Sequence, residues 1–205
     1  MKPYVLNCAG EIEMEVVNAL RMAQILIRAR LKTARCVVDA TAGNGKDTLF
    51  IAANTPADST VWAFDIQEQA LRKTRELLFQ NGFDSKVRLI NDSHAKVSYY
   101  IGTAIDAAMF NLGYLPGGSH AINTQPENTI AALSQILSQL VISGIVTIVA
   151  YPGYEHGLTE MAEVSYFLNQ LPQKEYCVAC WSMVNQINHP PLLYIVERVS
   201  ENTQP

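Results

Sequence analysis

The chain has 205 residues, 49% apolar and 17% charged, with a net charge of −4. That balance excludes a disordered tail and a protein that attracts polyanions over its whole surface, and it is long enough to bury a core without metals or disulfides. The N-terminus lacks the apolar stretch of a signal peptide and no apolar run reaches membrane-spanning length, so a single domain in the cytosol is expected over 1–205, with 1–34 as a helical segment packed on it.

In chain order, an apolar stripe of Met14, Val17, Leu20, Met22, Ile25 and Leu26 predicts a helix over 11–31. CVVDA at 36–40 reads as a strand, and 46–53 as a helix. TVWAFD at 60–65 is a second strand, followed by a helix over 67–80 that stops at Asn81-Gly82. KVRLIN (86–91) gives a third strand, 95–100 a short helix, and AIDAAMFN (104–111) a fourth strand that runs into a Gly/Pro-rich loop. A helix over 126–140, a fifth strand over 144–152 and a helix ending near Leu171 follow. EYCVACWSMV and PLLYIVERV close the chain as an antiparallel hairpin. This alternation predicts an α/β fold: a seven-stranded, mostly parallel sheet with helices on both faces.

Ligands of such sheets bind beyond the carboxyl ends of the strands, so the strand ends hold the candidate residues. The first strand leads into Asp39-Ala-Thr41-Ala-Gly43-Asn44-Gly45, where glycines permit a tight turn, and then into a helix N-terminus that begins with Lys46-Asp47. A phosphate-binding P-loop is excluded, because Ala40 stands where its first glycine belongs and Asp47 where its Ser/Thr belongs. A dinucleotide fingerprint is disfavoured by Thr48 at its third small position and by Asp47, which would repel a pyrophosphate. Asp65, twenty residues beyond Gly45, suits the hydroxyls of a ribose, with a cap for the helical segment that begins at Ile66 as its competing role. Asp92, Ser93 and His94 close the third strand, where Asp92 suits an adenine amino group or a simple Asx cap.

The loop at 39–45 resembles the acidic-x-G-x-G-x-G motif of methyltransferases, with Thr41 in the place of its first glycine. Asn111-Leu-Gly-Tyr114 resembles the Asn/Asp-Pro-Pro-Tyr/Phe motif of amino-directed methyltransferases, at the same spacing but without the prolines. DATAGNGKDTLF, FDIQ, NDSH, AAMFNLGYLPGG and YPGYEHG together are similar to the proteins labelled rRNA methylases, a family that includes tRNA 5-aminomethyl-2-thiouridine methyltransferases. The resemblance implies a Rossmann-like class I fold, S-adenosylmethionine as cofactor, and a tRNA anticodon stem-loop as partner, methylated on the aminomethyl nitrogen of a wobble uridine. It assigns the cofactor to Asp39, Thr41, Gly43, Asn44, Gly45, Asp47, Asp65, Ile66, Asp92, Ser93, His94 and Asn111. Catalysis falls to Asn111, Tyr114 and His156, and the acceptor to Tyr114, Tyr151, Tyr154, Arg28 and Arg30.

Arg21, Arg28, Arg30, Lys32 and Arg35 form an acid-free stretch that is either a basic patch for RNA or a set of solvated helix-end residues. Cys177 and Cys180 form a C-x-x-C in a strand, where residues three apart face opposite ways, so no metal or redox pair is expected. His120 and His189 read as ordinary loop histidines. The open alternatives are an rRNA or small-molecule amine methyltransferase on the same scaffold, or a non-enzymatic cofactor sensor. The apolar terminal strands and first helix are compatible with a homodimer.

Overall fold

The computed structural model describes residues 18–113, 123–153 and 157–200. Seven strands form one sheet: β1 (Cys36–Asp39), β2 (Thr60–Phe64), β3 (Val87–Ile90), β4 (Ile105–Asn111), β5 (Leu140–Ala150), β6 (Tyr176–Trp181) and β7 (Leu192–Arg198). Their spatial order is β3-β2-β1-β4-β5-β7-β6. The neighbours from β3 to β5 pair in parallel, while β7 runs antiparallel to both β5 and β6. The expected mostly parallel sheet with its terminal hairpin is therefore present, and the second hairpin strand lies inside the first. Composition explains that order. β7 buries Leu193, Tyr194 and Val196 against its two neighbours, while four successive residues of β6, from Cys177 to Cys180, stay exposed at the sheet edge.

Helices α1 (Ala19–Leu31), α2 (Lys46–Asn54), α3 (Glu68–Gln80), α4 (Val97–Tyr100), α5 (Pro126–Gln139) and α6 (Gly157–Asn169) cover the sheet. Side-chain alternation along the strands divides the core in two. Cys36 and Val38 of β1 join Phe64, Phe110, Ile148 and the residues of α5 and α6 on one face. Val37 joins Val61, Met109, Val149 and the residues of α1, α2 and α3 on the other. Among the described residues no helix is long and apolar enough to cross a membrane.

The first helix departs from expectation. It begins at Ala19, because Asn18 caps it by accepting a hydrogen bond from the Arg21 amide at 2.8 Å. Met14 and Val17 lie outside the described residues. The buried face is Ala19, Ala23, Ile27 and Leu31, and Leu26, which the stripe placed inward, is 40% exposed. Two alanines on that face let α1 lie close to β4, β5 and β7, a role that an apolar-periodicity count underweights.

The fifth strand also starts earlier than expected, at Leu140, directly after α5. Ser143 takes φ 59° there, and the pairing with β4 shifts register between Ile105 and Ala107, so the turn residues are absorbed into a bulged strand. The short helix expected at 95–100 is a 3-10 turn over His94–Lys96 that continues into α4.

Candidate functional site at the carboxyl ends of β1 to β5

Between β1 and β4 the chain order reverses, and there the strand ends open a cavity of about 760 Å³. Its lining includes Thr41, Gly43 and Asn44 after β1, Asp47 in α2, Asp65 and Ile66 after β2, Asp92, Ser93 and His94 after β3, Asn111 in β4 and Tyr151 after β5. Eleven of the residues proposed from sequence thus share one space. Tyr114, Tyr154 and His156, also singled out there, lie outside the described residues.

The loop after β1 is fixed by hydrogen bonds to its own carboxylates. Asp39, 1% exposed, accepts from the Thr41 amide at 3.1 Å and from the Thr48 hydroxyl at 2.6 Å. Burial, and then the neighbouring charge of Asp47, push the Asp39 carboxyl up to about 7. It supports the loop from beneath and does not line the cavity. Gly43 takes φ 51°, donates its amide to Asp65 at 2.8 Å and accepts the Thr74 hydroxyl at 2.8 Å.

Gly45, placed in the cofactor set from sequence, has a different reason for being glycine. It has φ 82°, and a Cβ there would meet the Thr74 backbone at 2.9 Å, so its missing side chain serves the approach of α3 to the start of α2. It does not line the cavity. Thr41, where the motif has glycine, uses its hydroxyl to accept the Asn111 amide at 2.7 Å, tying the first loop to the end of β4.

Asp65 ties the loop after β1 to the turn that precedes α3. One oxygen accepts from Gly43 and the other from the Gln67 amide at 2.8 Å, at the start of α3, while the side chain stays on the cavity wall. Burial raises its carboxyl, and the two backbone amides partly offset that rise. Ile66 beside it is 57% exposed, an apolar surface at the cavity edge. Asp92 is already engaged: it accepts from the Ser93 amide, Lys96 Nζ and Tyr100 Oη, and these bonds hold its carboxyl below the usual range, the bond from Lys96 most of all.

His94 is 9% exposed and its Nδ1 lies 2.9 Å from the Ala40 carbonyl. A carbonyl only accepts, so Nδ1 carries the proton and Nε2 keeps a lone pair, which has no partner. Burial lowers the pKa of the ring and favours its neutral form. Asn111 donates from Nδ2 to Asp47 at 3.1 Å, and its buried Oδ1 has no partner among the described residues. Asp47 also accepts from Gln24 of α1 at 3.0 Å. Burial first, and the Asp47 charge second, push the Tyr151 phenol up to about 12 against the lowering effect of the neighbouring Asn111 side chain, which keeps it protonated.

Arg28 and Arg30 do not join this cavity. Arg30 binds the Asp106 carboxylate at 2.5 Å, at the amino end of β4, and Arg28 lies over the Phe50 ring at 5.3 Å. Arg35, from the same basic stretch, pairs with Asp58 before β2. These cations are thus engaged locally, Arg30 in a half-buried pair and Arg35 in an exposed one.

The sequence reading missed His189 and Pro191 from the β6–β7 connection, and Asn123, Gln125 and Asn128 around the start of α5, all of which line the cavity. The polar run Asn123-Thr124-Gln125 before a helix was the available signal. Nothing local marks His189, which is brought in by strand order and carries φ 50°. Cys177 and Cys180 are exposed edge residues, and among the described residues no group of three or more His, Cys, Asp or Glu is placed to hold a metal.

The lining suits a cationic nucleoside. Asp47 and Asp65 line the cavity on either side of one loop, and neither is ion-paired among the described residues. An exposed apolar side chain flanks them, and two buried acceptor atoms await donors.

Residues 61–197 match the family model described as Putative rRNA methylase. The chain is 32% identical over 191 residues to the chloroplastic tRNA (mnm(5)s(2)U34)-methyltransferase of Arabidopsis thaliana, a match covering 88% of this chain and 70% of that one. Among solved structures, a putative rRNA-methylase of Clostridium thermocellum aligns with a TM-score of 0.89 at 40% identity, over 91% of this chain and 100% of that one. A putative methyltransferase of Streptococcus mutans, in complex with SAH, aligns with a TM-score of 0.83 at 37% identity, over 90% and 100% of the two chains. On that family match, and with this sheet order, the chain belongs to the rRNA-methylase family of class I S-adenosylmethionine-dependent methyltransferases.

Proposed function

We propose that this chain methylates the aminomethyl nitrogen of a modified wobble uridine in tRNA, converting nm5s2U to mnm5s2U. The observation that carries the reading is the Asn111 side chain. Its Nδ2 is committed to Asp47, and its Oδ1 is a buried acceptor beside the cavity with no partner among the described residues. An unmatched buried carbonyl oxygen is costly until a donor arrives, and an amine N–H is a donor that it would hold and orient. The name of the Arabidopsis relative supports the same acceptor.

When bound, the cofactor supplies a methyl group on a sulfonium. In this proposal Gly43, Asn44 and Asp65 hold its nucleoside and amino-acid parts, Ile66 and Ser93 flank the base, and the carboxylate of Asp65 favours its positive charge. His94, kept neutral by burial, offers a lone pair at the floor of the cavity without adding a competing cation. Asn111 directs the acceptor nitrogen. Tyr151, held protonated, bounds the acceptor side as a hydrogen-bond donor, and Tyr114, Tyr154 and His156 are assigned to the same side from their place in the sequence.

The test is transfer of labelled methyl groups by the purified chain to tRNA carrying the unmethylated aminomethyl nucleoside, followed by nucleoside mass spectrometry. Ribosomal RNA is the parallel acceptor, because the family description names it. Appearance of mnm5s2U is expected, and labelling confined to rRNA or to free amines would overturn the assignment.

A further inference from the structure

Asp47 is 8% exposed, sits in the first turn of α2 and lines the cavity. A nearly buried carboxylate ordinarily has a cation beside it. None of the ion pairs among the described residues includes Asp47. Its two oxygens are instead divided between two amides: Oδ1 accepts from Gln24 Nε2 at 3.0 Å and Oδ2 from Asn111 Nδ2 at 3.1 Å. The chain therefore keeps a buried charge to hold neutral partners, one of which is the group assigned above to the acceptor.

The two ends of an asparagine amide have nearly the same shape and opposite hydrogen-bonding character, so packing alone does not decide which end faces a ligand. A carboxylate does decide, because it only accepts. With Asp47 beside it, Asn111 must turn its NH2 toward α2, and its oxygen is what remains for the ligand. Gln24 braces the carboxylate from α1, outside the cavity lining. Asp47 also faces Asp39 and Tyr151, both of which its charge raises.

We propose that Asp47, braced by Gln24, is a positioning residue that sets the Asn111 amide with its oxygen toward the acceptor, and thereby selects an acceptor that donates an N–H over one that offers only lone pairs. This rests on the reading of Asn111 as the acceptor-orienting group. Asp47 is then not a cofactor ligand, although the sequence placed it in that set.

Asp47→Asn tests it, because an amide at 47 can present either end to Asn111. Expected is a fall of about 10- to 100-fold in kcat for tRNA methylation, the scale for losing a supporting hydrogen-bond partner. The KM for tRNA and the calorimetric affinity for S-adenosylhomocysteine should stay within about threefold. Gln24→Leu, which leaves the charge in place, should show the same split with a smaller fall.

A second readout does not depend on the acceptor. In a chain labelled with 15N-asparagine, the side-chain NH2 of Asn111 should exchange slowly with solvent and lose that protection in Asp47→Asn. Wild-type kcat in both variants, unchanged protection of the Asn111 amide, or a loss of more than about tenfold in S-adenosylhomocysteine affinity would each overturn the proposal. If the unaltered chain transfers no methyl group to tRNA, the acceptor reading fails by itself, and the exchange measurement still decides how the amide is set.

Discussion

The two ends of the sheet treat buried polar groups in opposite ways. At the amino ends, Asp106 accepts from Arg30, from the Arg35 amide at 2.7 Å and from the Cys36 amide at 3.0 Å, so its charge is matched and its lone pairs are filled. Lys86 nearby donates to the carbonyls of Ala52, Thr55 and Pro56. At the carboxyl ends, and among the described residues, Asp47 has no ion-pair partner, and His94 Nε2 and Asn111 Oδ1 have no donor. One end is matched by its own side chains, and the other, among the described residues, presents unmatched atoms at a cavity. Unmatched buried groups cost stability, and they mark where binding energy is to be gained.

The contrast can be broken most strongly at Asn111. Asn111→Ala should lower kcat for methyl transfer by about 100- to 1,000-fold, the scale for removing one preorganised polar group, while the thermal midpoint changes little. Equal losses in kcat and in calorimetric cofactor affinity would show that Asn111 serves the cofactor instead.

Asp106→Ala attacks the other end, with the reverse outcome. It leaves the half-buried Arg30 and two backbone amides unmatched, so a loss of about 2–4 kcal/mol in chemical unfolding is expected, with kcat nearly unchanged.

The third prediction concerns pH. The Asp39 carboxyl is raised from 3.8 to about 7 in the folded chain, so the folded state binds the extra proton. Its contribution to stability is fully present below about pH 4 and is lost as the pH rises through about 7. Asp39→Asn, which removes that proton, should flatten the dependence of the unfolding free energy on pH across this window. An unchanged slope would place the titration elsewhere.

The smallest effect is expected at Arg28. Its contact with Phe50 is worth about 0.5–1 kcal/mol, and Arg28→Ala should leave the KM for tRNA within about twofold. A larger rise in KM would make α1 an RNA-contacting surface, as the acid-free stretch at 21–35 first suggested.

The sheet and most of the site were legible because both rest on local chemistry. Alternating strand and helix periods give the succession of elements and the terminal hairpin, and short polar runs at strand ends mark Asp65, Asp92 and Asn111. What escaped depends on distant packing. Thr74 explains Gly45 from 29 residues away in sequence, counted from one to the other. Asp106 captures Arg30 across 76 residues. His189 reaches the cavity only because β7 is inserted beside β5. The inward face of α1 was misjudged for a related reason, since alanine is chosen there for closeness to the sheet and not for apolar weight.

The hydroxyl of Thr41 joins the turn after β1 to the backbone of Asn111. Glycine at that place would leave the pairing to end where the Ala40 amide donates to the Met109 carbonyl; threonine carries the connection on to the residue that lines the cavity. Occupancy of the nucleoside half should therefore preset the half that meets the acceptor, and the preference must be mutual, each ligand strengthening the hold on the other by the same factor.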